Sequence, residues 1–317
     1  MNLITAIPIT KSPNPIDYSS RIISIGSCFA ENMAEKIDYF KFEITVNPFG
    51  ILFHPMAIEK MFTRIVENRL FTQDDIFYYN EQWHSFDVHS SLSSPNKDEL
   101  LLLLNNIIEK SYSKILSGTH VIITLGTSWV YKSKKSGNLV ANCHKIPQKH
   151  FEKELLSIKI IEKSLENIID LLRKVNPKLE VVFTISPVRH IKDGFSENQR
   201  SKAHLIAAVQ NFLETNNLGG VTYFPSYEIL LDELRDYRFY AENMLHPNQL
   251  AIDYIWKRFA DTNISESSIF VMQEVDGIQK ALHHKPFYPE SKAHKEFFLQ
   301  LETKIANFQK RFPNIVF

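Results

Sequence analysis

Glycine and cysteine are the scarce residues here: nine and two, respectively, in 317. Two cysteines cannot build a disulfide framework, which fits a reducing, intracellular setting. Glycine at roughly 3%, against about 7% in ordinary proteins, excludes a loose, glycine-rich architecture and makes each glycine informative. Charge of one sign is missing too. The 36 Lys and Arg cancel 36 Asp and Glu, so the basic excess of a nucleic-acid or anionic-membrane binder is absent. No stretch approaches the ~20 consecutive apolar residues of a membrane helix. Residues 1–15 hold three prolines, no basic cluster ahead of an apolar run and no small-residue cleavage site, so no secretory signal is expected. The expectation is a soluble, cytoplasmic protein with neither nucleic acid nor membrane as partner.

What is present is an alternation. Short β-branched apolar runs at 21–25, 42–46, 120–125, 180–185 and 221–224 read as parallel strands buried on both faces. Between them, residues 30–39, 57–68, 97–116, 151–175 and 197–216 have helical character. This βαβ order predicts a doubly wound α/β sheet. Residues 76–88 and 129–140 read as antiparallel or loop excursions from it. After residue 263 the strand pattern stops and two helical pieces flank the prolines at 286 and 289. The division expected is a sheet domain over 1–262 and a helical extension over 263–317, packed on the sheet or on a second copy of the chain.

Ligands of such sheets bind beyond the carboxyl ends of the strands. The residues there are Gly26-Ser27-Cys28, Asn47-Pro48-Phe49-Gly50, Gly126-Thr127-Ser128-Trp129 and Ser186-Pro187-Val188; Asn243 and His246 precede a late helix. A thiol at a helix N-terminus has its pKa lowered, more so beside an imidazolium. Cys28 is therefore a candidate nucleophile, and Ser27 is another if the turn presents its hydroxyl instead. Asn243 is placed to orient His246.

In their order along the chain these blocks resemble the GSCFA family. The matching residues are Gly26-Ser27-Cys28-Phe29-Ala30, Asn47 to Gly50, Trp83 to Ser90, Leu125 to Tyr131, Asn142 to Lys145, Ser186 to Val188 and His246-Pro247. The family is similar to SGNH (GDSL-type) hydrolases and to a capsule-polysaccharide acetyltransferase with cysteine at the nucleophile position. The resemblance implies a flavodoxin-like three-layer fold over roughly residues 1–262, and it places Cys28 at the nucleophile position. It further implies an oxyanion hole from the amides of Cys28 and Gly50, joined by Gly126, Thr127 or Ser128. Two departures stand out. Gly126-Thr127-Ser128 replaces a Gly-x-Asn block, and Asn243 replaces the aspartate that orients the histidine. In a serine triad the second loss costs about four orders of magnitude, whereas Cys-His-Asn is a working arrangement.

Trp83, His84, His89, Trp129, Cys143, His144, Lys145 and Arg189 are expected to line a substrate pocket, with Arg189 suited to an anionic group. Cys143, His144, His84 and His89 are zinc-binding residue types, yet no CxxC or HxxxH spacing joins them. No metal or bound cofactor is expected; a CoA thioester enters only as an acyl donor. The expected function is acyl transfer on an ester of a small molecule or glycan through a Cys28–His246 pair, in which Cys28 attacks and His246 shuttles the proton, with water or a sugar hydroxyl as acceptor. The alternative is a non-catalytic carbohydrate-binding or interaction module. Self-association is expected to run through the C-terminal helices.

Overall fold

The structure is a computed structural model describing residues 5–216 and 218–317. Its strands in chain order are β1 (Arg21–Gly26), β2 (Glu43–Val46), β3 (Phe77–Tyr79), β4 (Gln82–His84), β5 (His120–Leu125), β6 (Trp129–Ser133), β7 (Leu139–Val140), β8 (Phe151–Leu155), β9 (Glu180–Ile185) and β10 (Val221–Phe224). The helices are α1 (Cys28–Tyr39), α2 (Pro55–Val66), α3 (Lys97–Ser117), α4 (Ile158–Val175), α5 (Phe195–Asn216), the single turn α6 (Ser226–Glu228), α7 (Gln249–Asn263), α8 (Glu266–Leu282) and α9 (Lys292–Arg311).

Among the described residues the main sheet has five parallel strands in the order β2-β1-β5-β9-β10, the flavodoxin-like arrangement. Alternation along each strand sends its side chains to two cores. Ile23, Val121, Val181 and Phe183 pack with α2, α3, α4 and α5 on one face. Ile22, Ile122 and Val182 pack with Phe29, Met33 and Ile37 of α1 and Ile255 and Phe259 of α7 on the other. Three layers result, as expected. Side-chain caps start several of these helices: Ser27 on α1, Asn96 on α3 and Ser157 on α4, each accepting otherwise unpaired amides.

One expected helix is shorter than its pattern. The helical pattern over 151–175 takes in residues 151–155, which instead form β8, antiparallel to β6. In Phe151-Glu-Lys-Glu-Leu155 the outer charges suit an exposed helix, yet the pattern of burial alternates with period two. Pairing with β6 decides it, and the helix starts only after the Ser157 cap. The two excursions are small sheets, β3–β4 and β7-β6-β8.

Val275 and Ile278 of α8 pack against Leu301 and Phe308 of α9 and against Ile315 in the segment after it, with Tyr18 and Phe40 completing the cluster. Tyr18 stacks on Phe42 at 4.3 Å, and Gln279 Nε2 donates to the Tyr39 carbonyl at 2.9 Å. The extension thus packs on the sheet domain beside the end of α1. No described helix is long and apolar enough to cross a membrane.

Candidate active site

The exit of β1 is shaped by Gly26. Its φ is +145°, and a Cβ there would stand 2.2 Å from the Thr124 carbonyl oxygen, so only glycine fits. Its amide donates to Asn47 Oδ1 at 2.8 Å. Asn47 Nδ2 donates in turn to Glu31 Oε1 at 3.3 Å, tying the β2 exit to α1. Ser27 then caps α1, its Oγ accepting from the Phe29 amide at 3.3 Å, and is 1% exposed. The hydroxyl is turned inward as a cap, which removes Ser27 as a presented nucleophile. Cys28, the first helical residue, is only half buried.

The thiol is not acidified as the helix terminus alone predicts. Burial and the Glu31 carboxylate push Cys28 above its ordinary value, against the Phe29 amide, its own amide and the Lys202 ammonium. Burial and a like charge outweigh the helix end. Lys202, on α5, escaped the sequence reading. Its Nζ donates to the carbonyls of Gly126 and Ser186 at 2.6 Å each, clamping the β5 and β9 exits together. Burial lowers it to about 7, while Cys28 pulls the other way. A signal was available. Lys202 lies with Ser201, Leu205, Ala208, Val209 and Phe212 on the buried stripe of α5, where a lysine is out of place.

The expected oxyanion donors are mostly engaged. The Gly50 amide donates to Asn47 O at 2.7 Å and the Gly126 amide to Phe53 O at 2.7 Å. Ser128 is buried, its Oγ donating to Ser201 O at 3.0 Å, and Thr127 Oγ1 meets Ser201 Oγ at 2.8 Å. These hydroxyls hold α5 to the loop, so the assigned oxyanion role does not fit Gly50, Gly126 or Ser128 as they stand. The amide of Cys28 is the member of that set on the α1 terminus.

Asn243 and His246 do meet: Asn243 Nδ2 lies 2.9 Å from His246 Nδ1. No hydrogen bond joins Cys28 to His246 among the described residues. His190 is a further imidazole, stacked on Phe53 at 5.8 Å, its buried Nε2 without a hydrogen-bond partner among the described residues. Burial first, then Lys202 and His246, push it down to about 3.

The substrate residues divide. Trp129, Cys143 and Lys145 line a cleft of about 600 Å³ together with Thr127, Tyr131 and His190. Lys153 crosses the Trp129 and Tyr131 rings at 4.8 and 5.5 Å. Burial raises the Cys143 thiol to about 11. His89 sits instead against Gly50, where burial lowers it and Glu31 opposes. His84 and His144 are buried fixtures. His84 bonds Ser93 Oγ and Tyr79 O, and His144 Nε2 bonds Ser85 O at 2.7 Å. Trp83 packs on Tyr78 with Lys97 5.3 Å from its ring. Arg189 lies over Tyr237 and Tyr240, 5.1 and 4.1 Å from their ring centres. None of these four lines the cleft. Among the described residues, no three His, Cys, Asp or Glu side chains gather as a metal would require.

Fold and site define a doubly wound α/β protein with a thiol at the exit of its first sheet strand. The model of the GSCFA family matches residues 21–259, and that of the GSCFA domain protein C-terminal domain matches residues 275–317. The chain belongs to the GSCFA family. No curated protein matches it. Among solved structures it is similar to a carbohydrate esterase family 3 protein from Talaromyces cellulolyticus (TM-score 0.28, 10% identity, 51% of this chain, 65% of that chain). It is also similar to an acetyl esterase mutant with acetate ion (0.28, 12%, 51% and 66%). A third is an acetyl xylan esterase from Butyrivibrio proteoclasticus (0.35, 12%, 81% and 64%). The chain thus spans just under two thirds of each of these three.

Proposed function

We propose that this chain is an SGNH-like acyl-transfer enzyme acting on an acyl ester, with Cys28 as nucleophile. One observation carries the reading. At the carboxyl end of β1, where such sheets bind ligands, Cys28 remains partly accessible while the neighbouring Ser27 is buried and its hydroxyl accepts the cap hydrogen bond. The sulfur attacks the ester carbonyl, an S–C bond forms and the π pair moves to oxygen. Collapse breaks the C–O bond and leaves a thioester; the alcohol departs carrying the proton the thiol lost. Water or a second hydroxyl then takes the acyl group and returns a proton to sulfur. The aromatic and cationic wall of Trp129, Tyr131 and Lys153 beside Thr127 suits a sugar ring as the carrier of the ester. Acyl transfer from a CoA thioester is the same chemistry with a different donor.

The second reading, a non-catalytic carbohydrate-binding module, is favoured by the raised Cys28 thiol and the engaged Gly50 amide. Turnover of p-nitrophenyl acetate and of acetylated sugars separates the two. Cys28→Ala is expected to abolish turnover. Ser27→Ala is expected to keep it while losing about 1 kcal/mol of stability from the cap. Turnover surviving in Cys28→Ala and lost in Ser27→Ala overturns the assignment.

A further inference from the structure

We propose that His246 serves as a fixed hydrogen-bond donor through Nε2, and not as the base that deprotonates Cys28; this rests on the acyl-transfer reading above. Asn243 is held by the amides of its own loop. Its Oδ1 accepts two backbone amides, from Leu245 at 2.9 Å and His246 at 3.1 Å. Turning the side-chain amide over would set N–H against N–H twice, so its orientation is fixed by the loop. The NH2 group must therefore be what faces His246 Nδ1 at 2.9 Å. An NH2 group in this position donates, so Nδ1 accepts, and a neutral ring then carries its proton on Nε2.

The loop holds this geometry firmly. Met244 has φ +57°, and the Ala241 and Met244 amides donate to the carbonyls of His246 and Ala241 at 2.8 Å each. Tyr240 bridges to Pro247. A carboxylate at position 243 would do the opposite, drawing the proton to Nδ1 and freeing Nε2 as a base. The asparagine thus decides the direction of the hydrogen bond. Its consequence fits the rest of the site: the amides of Gly50 and Gly126 are occupied, and a neutral imidazole N–H is an effective donor to a developing oxyanion.

The test uses the full chain in two measurements. In two-bond 1H–15N correlation spectra of 15N-histidine protein, with the His246 signal assigned by its loss in His246→Gln, the wild type is expected to show the Nε2–H tautomer. Asn243→Asp is expected to move it to Nδ1–H. In p-nitrophenyl acetate turnover, His246→Gln, which keeps an N–H donor but no base, is expected to lose less than about tenfold. His246→Ala should lose about 10²–10³. An Nδ1–H tautomer in the wild type, or equal losses in the two variants, overturns the proposal. Absence of turnover in the wild type removes the acyl-transfer reading and with it the donor role, while the spectra still decide the tautomer.

Discussion

The sharpest consequence of the structure concerns the buried amine of Lys202. It is 1% exposed, and burial moves it from its ordinary 10.5 to about 7. Each pKa unit is worth about 1.4 kcal/mol, so the native state gives up as much as about 5 kcal/mol to hold this group protonated. The sign follows from proton counting. Below pH 7 folded and unfolded chains both carry the proton, and this group makes stability flat with pH. Between 7 and 10.5 only the unfolded chain carries it, so stability rises; above 10.5 it is flat again. Lys202→Met removes the titration at nearly the same volume. It also strips donors from the Gly126 and Ser186 carbonyls, at about 1–3 kcal/mol each. Urea unfolding of wild type and variant at pH 6.5, 8 and 9.5 reads the difference. The wild type should gain relative to the variant by several kcal/mol across that range. A difference independent of pH would show that Lys202 is not the buried titrating group, whatever its hydrogen bonds contribute.

Three further outcomes follow from the same geometry. Gly26→Ala should lose about 3 kcal/mol or more, because of its φ and the Thr124 carbonyl 2.2 Å from the new methyl. Gly137→Ala, with φ +73° and no atom within 4 Å, should lose only about 1–2 kcal/mol; equal shifts in thermal midpoint would refute the steric account. Alkylation by iodoacetamide, followed by mass spectrometry against pH, should show both thiols slow at pH 7 and Cys143 lagging toward its value of about 11. A Cys28 midpoint below its ordinary 9 would mean that Glu31 and burial are outweighed after all. Arg64 is buried, its Nε donating to Asp87 at 2.9 Å, and it also pairs with Asp75. Arg64→Met should destabilise by less than the ~3–5 kcal/mol of a fully unpartnered buried charge, because the buried Asp87 keeps Lys60 at 2.6 Å and the partly exposed Asp75 keeps Thr72, and Asp87→Asn in the same background should recover part of the loss.

The parallel strands were legible because a strand buried on both faces needs an apolar run and little else: 120–125 and 180–185 announce themselves. The β8 strand was not, because Phe151-Glu-Lys-Glu-Leu155 satisfies a half-buried strand and an exposed helix equally well, and only β6 decides between them. Of the site, Gly26 and Cys28 could be placed from the chain alone, since a turn with positive φ before a helix start is a local affair. Asn243 and His246 meet for the same reason, three residues apart on one tight loop.

What the sequence determined was thus whatever depends on near neighbours: periodicity, turns, caps, and the order of blocks that marks a family. Only the tertiary structure decided the rest. It buried Ser27 under distant segments and spent the Gly126 amide on the Phe53 carbonyl. It also brought Lys202, 174 positions after Cys28, close enough for the two charges to act on each other. Burial and long-range electrostatics set a group's acidity, and neither exists until distant segments pack. The two cysteines show the division well, since both were visible as residues and neither disclosed that burial would raise its thiol.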